Sequence, residues 1–206
     1  MAAVQVPHRK TLDACYRARP PMDVFRLDEV LDADRCRWVR AAMDAGAGGQ
    51  AQVLNDGDGR VAIDVDVSDD VIAFVESRLD AQRDRIAAFF HMPLRGREGA
   101  GFLRYVAGGC YGPHVDRAET PSWPDAARRA ITIVLFLNGS READEAGEFT
   151  GGCLRVFGSC RSGLAESYVD VVPKAGMLVA FLSCAPHEVT PVVDGCRDAV
   201  VDWFYD

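Results

Sequence analysis

Ile131-Thr132-Ile133-Val134-Leu135-Phe136-Leu137, closed by the turn-forming pair Asn138-Gly139, is the stretch on which the fold class turns. Seven residues rich in β-branched and aromatic types and ended by a turn signal read as a β-strand. Runs of the same texture recur on both sides of it, at Phe102 to Val106, Cys153 to Phe157, Tyr168 to Val172, Met177 to Leu182 and Ala199 to Tyr205. Gly108-Gly109, Gly151-Gly152, Pro173 and Asp194-Gly195 punctuate them.

Upstream the pattern is different. Val24 to Leu27 reads as a short strand. Asp32 or Asp34 then caps a helix running to about Ala45, with Cys36, Val39 and Met43 near helical spacing. Gly48 to Val67 reads as a hairpin whose arms, 52–54 and 60–63, flank Asn55-Asp56-Gly57-Asp58-Gly59. A second helix, capped by Ser68 or Asp69, carries Ile72, Val75, Leu79, Ile86 and Phe90 at three-, four- and seven-residue steps. Helices first and strands afterwards predict an α+β fold with a β-sandwich or barrel in the second half. At 206 residues the expectation is one domain: 1–20 loosely held, 21–100 helical support and a lid-like hairpin, and 101–206 the β core.

A net charge of −8 argues against nucleic acid or an anionic membrane as the main partner. Met1 to Lys10 lacks an apolar export segment, and no run is long and apolar enough for a bilayer, so a cytoplasmic protein is expected. The seven cysteines, Cys15, Cys36, Cys110, Cys153, Cys160, Cys184 and Cys196, never form a Cys-x-x-Cys pair and are expected as reduced thiols. Oligomeric state is not legible.

Two of the four histidines fall in the β-rich half. His114-Val115-Asp116 is a His-x-Asp, and within a strand residues i and i+2 share a face, so both side chains could meet one ion. His187 sits in a second strand-like stretch. Two imidazoles and a carboxylate make the facial triad of non-haem iron sites, with coordination positions left open. Alone, a His-x-Asp pair is weak, because chance supplies one readily in so aspartate-rich a chain. Arg197, ten residues after His187 and beside Ala199-Val200-Val201, adds a cation that needs an anionic partner if buried. A bound dicarboxylate and a structural salt bridge to one of the many nearby acids, such as Asp194 or Asp202, answer that need equally well on spacing.

The ordered combination of motifs resembles the prolyl 4-hydroxylase type of Fe(II)/2-oxoglutarate oxygenase. Arg104-Tyr105 through Gly112-Pro113-His114-Val115-Asp116 resembles that family's metal-binding strand, and Arg129 through Leu137-Asn138 its strand ending in a Leu-Asn turn. Gly151-Gly152-Cys153-Leu154-Arg155-Val156-Phe157, Pro173-Lys174-Ala175-Gly176, and His187-Glu188-Val189 through Arg197 to Trp203-Phe204-Tyr205-Asp206 follow in family order. The match covers about Gly101 to Asp206. Its C-terminal motifs look nearest to the oxygen-sensing prolyl hydroxylase branch and its bacterial relatives. The loops Arg117 to Arg128 and Arg141 to Glu148 depart from that branch where substrate contacts are expected.

This resemblance implies a double-stranded β-helix (jelly roll) and a dioxygenase that uses Fe(II), 2-oxoglutarate and O2, with room left for ascorbate. By it, His114, Asp116 and His187 ligate the iron, and Arg197 binds the distal carboxylate of 2-oxoglutarate with help from Tyr105. It makes Trp203 an aromatic wall and turns Thr132 toward the cavity, although core packing is the plain reading of both. Tyr111 and Arg155 are further candidates for the cavity. The implied substrate is a prolyl residue of a protein or peptide. A free amino acid or other small metabolite is the alternative, and a non-catalytic sensing module is the third.

Overall fold

The computed structural model describes residues 23–51, 59–119, 123–158 and 168–206. The expected loose N-terminus, the hairpin tip at 52–58, Cys15 and Cys160 lie outside them.

Strand β1 (Phe25–Leu27) leads into helix α1 (Ala33–Ala45). The Asp32 carboxylate accepts the Arg35 N–H at 2.7 Å, satisfying a donor that the first helical turn leaves open. Cys36, Val39 and Met43 form the buried side of the helix, as their spacing predicts. Strands β2 (Gly48–Gln50), β3 (Arg60–Val61) and β4 (Ile63–Val65) follow. The expected Gly48 to Val67 hairpin is present as the antiparallel β2–β4 pair, with arms 48–50 and 63–65, while Arg60 and Val61 pair instead with residues 111 and 110 in another sheet. The chain steps between sheets at Ala62, which is small and buried and whose carbonyl accepts the Ala51 N–H.

The second helix is corrected, because the segment forms two, α2 (Asp69–Asp80) and α3 (Arg83–Phe90). The break tightens through Gln82 N–H donating to the Leu79 carbonyl at 3.0 Å. A seven-residue step from Leu79 to Ile86 spans two helical turns, so the apolar face stays in register across the break and spacing does not reveal it. Val71, Val75, Leu79, Ile86 and Phe90 are buried, whereas Ile72 is only half-buried.

The remaining strands are β5 (Gly96–Arg97), β6 (Gly101–Val106), β7 (Cys110–His114), β8 (Arg129–Phe136), β9 (Thr150–Gly151), β10 (Leu154–Phe157), β11 (Tyr168–Val171), β12 (Leu178–Leu182), β13 (His187–Val189), β14 (Val192–Asp194) and β15 (Cys196–Tyr205). The larger sheet runs β1-β12-β8-β15-β6-β4-β2, with β5 added on β15. The smaller runs β11-β10-β13-β7-β3, and β9 and β14 form a separate pair. The named pairings are antiparallel, giving the α+β jelly roll with supporting helices. Among the described residues no helix is long and apolar enough to cross a membrane.

Every residue of β8 is buried. Ile131, Ile133 and Leu135 pack with the helices, while Val134 and Phe136 face the space between the sheets with Leu154, Val156 and Phe181. Covering both faces of a strand explains why its sequence is a continuous apolar run.

Strand β15 does the same with polar residues included. Val200 and Phe204 join the helix-side core, and Ala199 the inter-sheet core. By the same alternation Asp198 and Asp202 turn away from Arg197 and Trp203. Asp198, fully buried, accepts from Arg104 Nε at 2.7 Å and Nη2 at 3.0 Å, and from Arg40 Nε on α1 at 2.9 Å. Asp202 accepts from Arg97 Nη1 at 2.8 Å and the Gly99 N–H at 2.9 Å.

Replacing Asp198 by alanine would remove the buried acceptor that Arg104 and Arg40 share, while each keeps an exposed partner, Asp44 and Glu148, so the loss expected is that of charge-assisted hydrogen bonds, about 1.5–3 kcal/mol. Urea unfolding should show that loss. Burial alone would raise the Asp198 carboxyl, but Arg104 and Arg40 outweigh it and hold it below its ordinary value of 3.8. The contribution is therefore complete above that ordinary value and disappears as pH falls through the lower folded one. An acid titration of wild-type stability, absent in the variant over that window, checks the sign.

Candidate active site

The jelly-roll interior opens into a pocket lined by residues of both sheets. On the smaller sheet, β13 pairs with β7 so that His187 lies opposite His114. Asp116 lies two residues beyond the end of β7. The sequence argument for convergence, two residues on one strand face, is therefore corrected. Asp116 is held instead by its own N–H donating to the Ser183 carbonyl at 2.9 Å.

The potential ligand atoms of His114, Asp116 and His187 all lie within 4.8 Å of one another. Asp116 Oδ1 is 3.5 Å from His114 Nε2, and Oδ2 is 3.3 Å from His187 Nε2. Each imidazole uses its other nitrogen on a nearby carbonyl, His114 Nδ1 on Gly112 at 2.8 Å and His187 Nδ1 on Ala185 at 3.0 Å. With Nδ1–H donating there, Nε2 presents its lone pair to the cluster. Tyr111 stacks on His114 at 3.5 Å between ring centres, and Phe181 meets His187 edge-on at 4.6 Å.

Burial holds the His114 imidazole below its ordinary value, with His187 adding to the effect and Asp116 opposing it. Burial alone would raise the Asp116 carboxyl, but the imidazoles of His187 and His114 outweigh that and hold it well below the usual carboxylate range. An ionised carboxylate beside a neutral imidazole is the protonation state that metal ligation requires.

Arg197 lines the same pocket and is 2% exposed. Its guanidinium lies 4.9 Å from the Tyr105 ring centre and 5.1 Å from that of Phe136. Among the described residues its Nε has no hydrogen-bond partner, and burial pushes the group below its ordinary value. Two of the nearby acids are engaged elsewhere, Asp194 with Arg141 and Asp202 with Arg97. Neither therefore supplies the structural salt bridge that the sequence left open for Arg197. Gly152 makes room for it: at φ +63° a Cβ there would lie 3.0 Å from Arg197 Cδ.

Tyr105, Trp203 and Thr132 also line the pocket, as does Tyr111. The buried indole Nε1 of Trp203 has no hydrogen-bond partner among the described residues. The Thr132 hydroxyl is used on Asp116, 2.7 Å from Oδ2. Arg155 stays outside, paired with Asp170 and Glu188 and lying over Tyr168. Among the described residues no cysteine joins the ligand cluster.

Sequence reasoning assigned no role to Arg129, Glu98, Trp123, Ser183 or Arg60. Arg129 is 2% exposed, forms a two-point ion pair with Glu98, and donates from Nη1 to the Asp116 carbonyl at 3.3 Å. It lies 3.7 Å over Trp203 and 5.2 Å from the centre of Trp123, whose indole donates to Glu98 at 3.1 Å. The available signal was a charge at the head of a buried strand, which demands a partner. Arg60 reaches the pocket from β3 and lies 4.9 Å over Tyr111.

Two imidazoles and one carboxylate at the wall of a pocket are a donor set that would hold Fe(II), and a buried guanidinium in the same pocket, its Nε without a partner among the described residues, fits a dicarboxylic co-substrate. Comparison with known proteins agrees. Residues 100–205 match the family model described as the 2OG-Fe(II) oxygenase superfamily, just over half of the chain. This chain belongs to that superfamily, whose reagents are Fe(II), 2-oxoglutarate and O2.

Within it, the similarity runs to hydroxylases. A PKHD-type hydroxylase of Shewanella baltica is 28% identical over 191 residues, covering 88% of this chain and 72% of the relative. Another, of Alteromonas mediterranea, is 33% identical over 104 residues, covering 50% of this chain and 41% of the relative. The crystal structure of a Pseudomonas putida prolyl-4-hydroxylase superposes with a TM-score of 0.66 at 26% identity, covering 95% of this chain and 97% of that one. A Trichoplax adhaerens prolyl hydroxylase, in complex with a hypoxia inducible factor peptide fragment, shares the fold with a TM-score of 0.68 at 20% identity, over 89% and 83% of the two chains.

Proposed function

We propose that this chain hydroxylates a prolyl residue of a protein or peptide, acting as a single 1–206 oxygenase domain in the cytoplasm. The observation that carries the oxygenase chemistry is one pocket holding both the His114–Asp116–His187 cluster and the buried Arg197, its Nε without a partner among the described residues. The prolyl assignment is supported by the Pseudomonas putida prolyl-4-hydroxylase, which aligns over nearly the whole of both chains.

In this reading His114, Asp116 and His187 hold the iron. Arg197 binds the distal carboxylate of 2-oxoglutarate, with the Tyr105 ring beneath it. Iron with 2-oxoglutarate and O2 supplies the oxidant, giving hydroxylated product, succinate and carbon dioxide. The chain's own residues orient and exclude water. Tyr111 and Phe181 wall the two imidazoles, and Val134, Leu154 and Val189 keep the lining apolar. Trp203 and Trp123, each lying against Arg129 and each lining the pocket, offer it aromatic surface suited to a pyrrolidine ring.

The test is turnover of proline-containing peptides. The expected product gains one oxygen atom on proline, with one succinate formed per hydroxylation. Arg60 supports a second reading, because a second guanidinium in the pocket is the anchor a small anionic metabolite would use. Faster turnover of a free amino acid than of any peptide would favour that reading and displace the first.

A further inference from the structure

We propose that Thr132 and Ser183 are positioning residues for the metal-binding carboxylate, a hydroxyl chain that fixes how Asp116 presents itself to the ion. The inference rests on the assignment of Asp116 as a metal ligand. It concerns a problem that β7 does not solve: Asp116 lies beyond the strand, so no ladder partner sets the direction of its side chain.

Ser183 follows β12 and is fully buried. Its carbonyl accepts the N–H of Asp116 and the N–H of Arg117, each at 2.9 Å, and its own N–H donates to the Ala130 carbonyl at 2.9 Å. The loop bearing Asp116 is thereby tied to the start of β8. The side chains make a second tie. Thr132 Oγ1, on β8 and 2% exposed, is 2.7 Å from Asp116 Oδ2 and 3.1 Å from Ser183 Oγ.

A hydroxyl has one proton, and an ionised carboxylate can only accept. Thr132 therefore donates to Asp116, and Ser183 donates to Thr132. The order is Ser183 to Thr132 to Asp116, every member buried. One carboxylate oxygen is thus engaged by the protein. The group cannot rotate freely, and that oxygen is drawn away from joining the other in two-point chelation. Coordination positions that the reaction needs stay open.

Thr132→Val removes the proton donor while keeping a β-branched side chain of the same shape in a buried strand. Thr132→Ser keeps the donor and loses a methyl group. Titration with Co(II) alone, followed by its visible d–d absorption, reads affinity and coordination number without turnover. The expected results are a Kd raised roughly 10- to 100-fold in Thr132→Val, the size seen when a partner of a metal ligand is lost, and a weaker band as the carboxylate gains freedom to chelate. Thr132→Ser should restore both, and Ser183→Ala should move both in the direction of Thr132→Val by less.

Wild-type affinity and spectrum in Thr132→Val would overturn the inference. So would a Thr132→Ser protein as weak as Thr132→Val, which would make packing the cause. Wild-type protein that takes up no Co(II) would instead overturn the metal assignment of the triad, a result distinct from either.

Discussion

Replacing Asp116 by alanine is expected to weaken Fe(II) binding by about 150- to 5000-fold, corresponding to the roughly 3–5 kcal/mol lost when one partner of a buried charge pair is removed. Asp116 is 6% exposed and is the one anionic member of the cluster. Without it, two neutral imidazoles face a dication in a site from which bulk water is largely excluded. The Thr132 hydroxyl would then lose its acceptor as well. Equilibrium dialysis with Fe(II) under anaerobic conditions measures the effect. Binding within a few-fold of wild type would mean that the ion is held elsewhere.

The second large effect is at the other end of the pocket. Arg197→Met, which keeps much of the side-chain volume and removes the charge, should weaken 2-oxoglutarate binding by about 30-fold or more, since losing one side of a buried charged pair costs about 2–5 kcal/mol. Two further results distinguish this from general damage. Fe(II) affinity without 2-oxoglutarate should not change, because Arg197 is not a ligand. The apo protein should be no less stable, because the guanidinium is buried with its Nε unpaired among the described residues and burial already disfavours its charge. Replacing an uncompensated charge by an apolar group of similar size is commonly neutral or stabilising. Calorimetric titration and urea unfolding report the two quantities separately.

Much of this was legible in the chain. The β8 run stood out because both its faces are covered, and β15 was found in part for the same reason. Its polar first residues, Cys196 to Asp198, hid the strand's true start, since two buried charges there interrupt an apolar pattern. The triad was legible as residue types, but the geometric argument for it was incomplete. Asp116 reaches the cluster through a loop held by Ser183, and a contact between residues 67 positions apart leaves no local trace.

For Arg197, spacing left two partners open. What weighs against a salt bridge to Asp194 or Asp202 is that each meets another arginine, a fact of tertiary packing. The α2–α3 break escaped notice because its apolar face stays in register. Arg129 escaped because its partners, Glu98 and Trp123, come from a short strand's edge and a loop.

The measurement that tests the central claim most directly is an anaerobic titration of the protein with Fe(II) and 2-oxoglutarate, followed through the weak visible charge-transfer band of the chelate. The expected band saturates at one equivalent of each, is absent in His187→Ala, and needs far more 2-oxoglutarate in Arg197→Met. Metal-loaded wild-type protein with no band and no 2-oxoglutarate binding would contradict it, leaving a jelly roll that keeps the fold of an oxygenase without its chemistry.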